Sequence, residues 1–106
     1  MDITIQPFEN KHHRDQVISL WQSVFGYETD HNEPGLVIDK KQAAKDGLFF
    51  VALDGVMVVG TAMAGYDGHR GWIYSLAVSA ALRKEGLGSR LLAHAEKTLK
   101  RMGCMK

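Results

Sequence analysis

The residues best suited to chemistry form a short segment at positions 83–88, Arg-Lys-Glu-Gly-Leu-Gly. An apolar, strand-like run precedes this segment and a helical pattern follows it. A helix N-terminus exposes unpaired backbone N–H groups and the positive end of the helix dipole. Gly86 and Gly88 leave no side chain to hold a phosphate away, and Arg83 and Lys84 add positive charge nearby. The segment therefore predicts a cradle for a diphosphate group.

Two familiar phosphate-binding loops do not match this segment. The Walker-type loop needs a Gly, four residues and then Gly-Lys with a hydroxyl residue, which the sequence lacks. The dinucleotide fingerprint needs a third glycine, where Leu91 stands, and an acidic residue about 20 positions later. A tight strand-to-helix loop without any ligand is the plain alternative for Gly86 and Gly88, and the Lys84 side chain could simply be solvated.

The pattern that does fit is Arg-x-x-Gly-x-Gly after an apolar strand. Residues 59–62, Val-Gly-Thr-Ala, supply a second matching stretch upstream. With these motifs, nearly the whole chain resembles the GCN5-related N-acetyltransferase (GNAT) family. The residues that carry the resemblance at the signature loop are Ile73, Leu76, Val78, Arg83, Gly86, Gly88, Leu91 and Leu92.

The resemblance implies an enzyme that transfers an acetyl group from acetyl-CoA to a primary amine by direct attack in a ternary complex. The acceptor could be a small metabolite, a peptide N-terminus or a lysine. The backbone of Leu76, Ala77 and Val78 would pair with the pantetheine arm, as an added strand pairs with a sheet edge. The residues implied around the pyrophosphate of coenzyme A are Arg83, Lys84, Gly86, Leu87, Gly88 and Ser89.

The sequence departs from the family pattern in two places. Trp72 stands where some members carry a Glu general base, and the chain ends at Lys106, where the family domain continues with strands that often carry a Tyr general acid. The catalytic residues therefore stay unassigned. A non-catalytic acyl-CoA-binding or remnant module is the alternative function, and a structural or interaction domain without a ligand is a second one. An uncovered strand edge predicts a homodimer or a strand-exchanged oligomer.

Strands and helices must position this segment. Alternating or continuous apolar runs predict strands at 3–6, 48–53, 57–64 and 72–78, and the Asp54-Gly55 and 67–71 turns make the last three an antiparallel meander. Polar groups near the second turn could face the acceptor, although turn chemistry and packing are the simpler roles for them. These groups are Tyr66, Asp67, His69 and Tyr74.

Helices are predicted at 13–25, ending at Gly26, at 36–45 after a loop over 27–35, and at 88–102, ending at Gly103. The first would bury Val17, Leu20, Trp21 and Val24, and the last would present Leu91, Leu92, Ala95, Leu99 and Met102 on one face. The fold class is therefore α+β, or mixed α/β, with a mostly antiparallel central sheet flanked by helices. The family resemblance adds an acyl-CoA N-acyltransferase-like fold whose C-terminal strands are missing.

The composition argues against several classes of function. The 106 residues allow one domain, here a partial one over 1–106, and the net charge of +1 gives no footprint for nucleic acid or an anionic membrane. The five histidines show no metal-ligand spacing, so no metal is expected. Cys104 is the only cysteine, which excludes an internal disulfide. With no signal peptide or membrane-spanning run visible, a cytoplasmic protein is expected.

Overall fold

The computed structural model describes residues 3–25, 34–82 and 86–104. Within these ranges the chain forms four strands and three α-helices, with a short 3₁₀ turn at Ala80–Leu82 before the last helix. In chain order the elements are β1 (Ile3–Pro7), α1 (Asn10–Phe25), α2 (Pro34–Ala44), β2 (Phe49–Asp54), β3 (Met57–Tyr66), β4 (Gly71–Val78) and α3 (Leu87–Arg101).

The four strands form one antiparallel sheet in the order β1-β2-β3-β4. Gly55 takes a φ of 66° in the hairpin between β2 and β3, a conformation that glycine adopts without a steric penalty. The predicted meander and the α+β class are thus confirmed. Among the described strands, β4 lies at one edge of the sheet.

Helices cover both faces of the sheet, because the inner strands are apolar on both faces. Phe49 and Val51 of β2 belong to the core beneath α1 and α2, whereas Phe50 and Ala52 lie on the α3 side. Trp21 is fully buried in the first of these layers. The result is a three-layer arrangement in which α1 and α2 pack on one face and α3, with the adjoining 3₁₀ turn, packs on the other.

Two helices begin earlier than predicted. Helix α1 begins at Asn10 rather than residue 13, because the buried His13 reaches back and its Nδ1 accepts the Glu9 N–H at 3.0 Å. Helix α2 begins at Pro34 rather than residue 36, since proline in a first turn gives up an N–H that has no helical acceptor. The predicted stop at Gly26 and loop residues 27–33 lie outside the described residues.

The predicted end of α3 is confirmed, but its predicted face is partly wrong. Gly103 has a φ of 100°, and the N–H groups of Gly103 and Cys104 donate to the carbonyls of Lys100 and Leu99, which is a Schellman cap. Leu92 is 37% exposed because it lies one residue, about 100°, round the helix from buried Leu91. Met102 is also exposed, since it lies beyond the helical stripe at the cap.

Because His13 is buried, we expect the folded chain to become less stable as the pH falls. Burial lowers its pKa below the ordinary 6.5, and its Nδ1 must stay unprotonated to accept the Glu9 N–H. The unfolded chain therefore takes up a proton before the folded chain does. Below pH 6.5 we expect the free energy of unfolding to fall, by at most about 1.4 kcal/mol per pH unit for each such proton.

Urea unfolding between pH 7.5 and 5 measures this dependence. His13→Gln keeps a neutral acceptor and should flatten the slope. Burial is also the main reason that the pKa of His94 is lowered. His94→Gln should therefore remove the remaining pH dependence of the unfolding free energy. An unchanged slope in the double variant would assign the pH dependence to other groups.

In the described parts of the chain, no helix has both the length and the apolar character that crossing a membrane requires.

Candidate functional site

The predicted cradle lies where β4 ends and α3 begins. Gly86 is the N-cap of α3, with a left-handed φ of 77°, and it supplies no side-chain hydrogen bond to the helix. The N–H of Arg90 makes the first helical bond there, to the Gly86 carbonyl at 3.2 Å. The N–H groups of the three residues between them have no acceptor within the helix. They belong to Leu87, Gly88 and Ser89.

Gly88 keeps the space in front of this first turn open. A Cβ placed on Gly88 would have, among the described residues, only Val78 Cγ2 within 4 Å, at 3.8 Å. The missing side chain would thus point toward the end of β4. Leu87 is buried against the sheet and anchors the turn, while Ser89 is exposed. The first turn therefore presents N–H groups beside an open approach, which suits an anionic group.

Close packing brings α3 to this position. A Cβ on Gly60 of β3 would lie 2.9 Å from Leu91 Cδ1 and 3.2 Å from the Ala77 carbonyl oxygen. A side chain at this position would press on the end of the Leu91 side chain and on the main chain of β4, so glycine permits the close approach. Gly60 therefore fixes the distance between α3 and the sheet.

Strand β4 carries a bulge just before its end. Thr61 pairs with Ala77 but Met63 pairs with Tyr74, so β4 contains one residue more than β3 over this interval. Ser75, within the bulge, has a φ of 52°, a left-handed conformation that is rare for residues other than glycine. A bulge bends its strand and changes the direction of the main-chain groups.

The register indicates which main-chain groups of β4 face the open edge. The Ser79 N–H donates to the Val59 carbonyl at 2.8 Å. Because hydrogen-bonded pairs alternate along an antiparallel ladder, Thr61 and Ala77 form the next such pair. The main-chain groups of Ala77 therefore hold β4 to β3, and those of Leu76 point outward. An extended ligand could pair with the main chain of Leu76.

A buried polar pair lies beneath the bulge. Trp21 Nε1 donates to Thr61 Oγ1 at 2.9 Å, and Thr61 Oγ1 donates to the Ser75 carbonyl at 3.0 Å. Trp21 and Thr61 are both 0% exposed. The sequence predicts Trp21 as a core residue, whereas it predicts Thr61 only as part of the stretch at 59–62 that resembles the GNAT family. Its one signal is a hydroxyl within an otherwise apolar run.

A groove of about 370 Å³ opens on the α2 face of β4. Lys41 at its edge is balanced by Asp46, whose Oδ2 accepts from Lys41 Nζ at 2.8 Å. The same ammonium lies 5.3 Å from the centre of the Tyr74 ring. Residues from three elements line the groove, including Lys40, Met63, Gly65, Tyr66 and Trp72.

The other predicted residues have separate positions. Asp67 is a turn residue, because its Oδ1 accepts the N–H groups of His69 and Arg70 at 2.9 and 2.8 Å. Arg83 and Lys84 lie outside the described residues. Cys104 is buried and packs near Leu99. In the described ranges, no three or more His, Cys, Asp or Glu side chains come together as a metal site would require.

Comparison with known proteins identifies both a family and a fold for the chain as a whole. Residues 14–106 match the model of the acetyltransferase (GNAT) family. The solved structures with a similar fold include three whose sequences are 19–22% identical to this chain. They are a GCN5-related N-acetyltransferase from Kribbella flavida (TM-score 0.78, 22% identity), a glucosamine-6-phosphate N-acetyltransferase from Arabidopsis thaliana (0.74, 21%) and a GNAT family acetyltransferase from Brucella melitensis in complex with acetyl-CoA (0.78, 19%).

The matches cover almost all of this chain but different shares of those proteins. Coverage of this chain is 97%, 100% and 97%, in the same order. The chain spans 28% of the Kribbella protein, 80% of the Arabidopsis protein and 73% of the Brucella protein. At these identities the likeness establishes a shared fold.

Proposed function

The chain belongs to the GNAT family of acetyltransferases, and from that membership we propose that it binds acetyl-CoA and transfers the acetyl group to a primary amine. One observation carries the proposal for this chain. The first turn of α3, opened by Gly86 and Gly88, lies beside the end of a bulged edge strand. These two features together can bind a ligand with a diphosphate at one end and an extended, amide-containing arm at the other.

Coenzyme A has that chemistry. Its pyrophosphate would accept from the N–H groups of Leu87, Gly88 and Ser89, with Arg83 and Lys84 as nearby cations. The amides of its pantetheine arm would pair with the outward main-chain groups of Leu76, and the family resemblance places Ala77 and Val78 along the same arm. The space in front of Gly88 supports this fit.

The thioester would then lie at the bulge, and the amine would approach it through the groove beside Tyr74. The amine nitrogen attacks the carbonyl carbon, the C–N bond forms, the C–S bond breaks, and coenzyme A leaves as its thiol. A main-chain N–H at the bulge can donate to the carbonyl oxygen as negative charge develops there. Trp72 has no basic atom, so in this proposal the ammonium form of the acceptor first gives up a proton to water, and a second proton passes from its nitrogen to the departing sulfur as the C–S bond breaks.

Calorimetric titration with acetyl-CoA, desulfo-CoA and NAD tests the binding step. We expect both CoA forms to bind and NAD not to bind, because only CoA carries the pantetheine arm. A panel of amines, with released CoA measured as free thiol, then tests transfer. No binding of acetyl-CoA at millimolar concentration would refute the proposed function.

A non-catalytic acyl-CoA-binding module is the second candidate. The observation that favours it is Trp72, which is half exposed beside the groove and supplies no carboxylate. The amine panel separates the two functions. Release of CoA supports transfer, and binding of acetyl-CoA without turnover of any amine supports the module.

A homodimer or strand-exchanged oligomer stays a prediction. Strand β4 presents large exposed side chains at the sheet edge, with Trp72 50% and Leu76 38% exposed. A second copy packed against these side chains would cover them. Light scattering measures the mass in solution, and a monomer at high concentration would contradict the prediction.

A further inference from the structure

The polar pair beneath β4 has a defined direction. A Trp indole nitrogen can only donate, so Thr61 Oγ1 must act as the acceptor for Trp21 Nε1. A hydroxyl has one proton, and the Thr61 hydroxyl directs it to the Ser75 carbonyl oxygen, 3.0 Å away. The Trp21–Thr61 bond is buried, and the Thr61–Ser75 bond is partly buried.

The acceptor of that proton is the bulge itself. Ser75 holds a left-handed conformation that costs free energy for a residue with a side chain, and such conformations persist where surrounding contacts impose them. The Thr61 hydroxyl holds the Ser75 carbonyl through a side-chain hydrogen bond. Thr61 also pairs through its main chain with Ala77, just beyond the bulge. One residue thus contacts the bulge itself and the strand residue that follows it.

We propose that Thr61 is a positioning residue for acetyl transfer, acting through the bulge of β4. Its hydroxyl fixes the Ser75 peptide, and that peptide sets the direction in which Leu76 presents its main chain to the thioester end of the ligand. Trp21 orients the hydroxyl from the opposite side. This inference rests on the proposed function, and it assigns a role in the reaction to a buried side chain that does not touch the ligand.

Thr61→Val is the central test, because it replaces the hydroxyl with a methyl group of similar size. We expect kcat for acetyl transfer to fall about 10- to 100-fold, the loss that a small misplacement of reacting groups causes. The Kd for acetyl-CoA should change less than about threefold, since the phosphate cradle on α3 is untouched. Thr61→Ser keeps the hydroxyl and should restore most of the rate.

Loss of stability alone must be separated from loss of positioning. Val17→Ala removes two methyl groups from a fully buried site on α1 in the same core. It should lower the unfolding temperature by an amount comparable to Thr61→Val. At a temperature where both variants are folded, Val17→Ala should keep its rate within about threefold of the parent.

Amide hydrogen exchange on the unliganded chain reports on the bulge without using activity. Thr61→Val should speed exchange at the Ala77 amide, which is bonded to β3 beside the bulge, by about tenfold relative to Val17→Ala, because local opening no longer breaks the Thr61–Ser75 bond. Equal exchange in the two variants, or equal rates of transfer, would overturn the proposal. If the parent chain binds no acetyl-CoA and acetylates no amine, the proposed function fails, and the exchange result still decides whether Thr61 holds the bulge.

Discussion

Gly88→Glu should abolish acetyl-CoA binding and leave the fold intact. The new carboxylate would project from the first turn of α3 toward the end of β4, into the space where the proposed diphosphate lies. Two like charges brought together in a site cost several kcal/mol, so we expect affinity to fall by about 100-fold or more. Calorimetric titration of the variant with acetyl-CoA measures the loss.

The same substitution should not destabilise the chain. An acidic side chain in the first turn of a helix gains about 0.3–1 kcal/mol from the helix dipole. Replacing a helical glycine removes a further penalty of about 0.5–1 kcal/mol. The nearest described atom to the new Cβ is 3.8 Å away, which is an ordinary contact. The unfolding temperature should therefore stay equal or rise, so that lost binding cannot be attributed to unfolding.

Ala93→Glu is the matched control. It adds the same charge to the same helix at an exposed position beyond the first turn. It should bind acetyl-CoA within about threefold of the parent, because an exposed charge outside the site is largely screened. If Gly88→Glu binds as well as Ala93→Glu does, the diphosphate does not lie at this helix N-terminus.

Short sequence patterns predict most of the fold, because interactions between residues close in the chain determine its turns, helix ends and inner strands. Asp54-Gly55 specifies a hairpin through backbone conformation alone, and Gly103 specifies a helix end through its left-handed φ of 100°. The helix start beside Gly86 was predictable for the same reason, since Gly86 acts through the adjacent helix turn. Continuous apolar runs also identify β2 and β3, which are buried on both faces.

Features that depend on distant contacts were not predictable from the sequence. The sequence around Ser75 does not indicate a left-handed conformation, because that conformation accompanies a hydrogen bond from Thr61, which lies 14 positions away. Helix α1 lacks a Ser, Thr, Asp or Asn immediately before its first residue, and its early start follows from the buried His13 reaching back to Glu9. The sequence therefore predicts where a ligand could bind and misses the bulge that shapes the edge.

Gly60→Val should be among the most destabilising single substitutions in the chain. Its Cβ would lie 2.9 Å from Leu91 Cδ1 and 3.2 Å from the Ala77 carbonyl oxygen, and its two methyl groups need further space. Overpacking of this kind costs about 3 kcal/mol, a large part of the 5–15 kcal/mol that stabilises a typical domain. Urea unfolding measures the loss, and Gly60→Ala should show a smaller loss in the same direction.

A double variant tests whether the cost comes from α3 being pushed off the sheet. Leu91→Ala alone leaves a cavity and should cost about 2–5 kcal/mol. Combined with Gly60→Val it removes the closest contact, so the double variant should be more stable than the sum of the two losses predicts, by about 1–3 kcal/mol. Recovery should stay incomplete, because the Ala77 carbonyl is main chain and cannot move aside. If the losses of the two single variants simply add in the double variant, the strain does not arise at the contact between position 60 and Leu91. Recovered stability with acetyl-CoA binding still weakened would show that the fit of α3 on Gly60 positions the cradle as well as stabilising the fold.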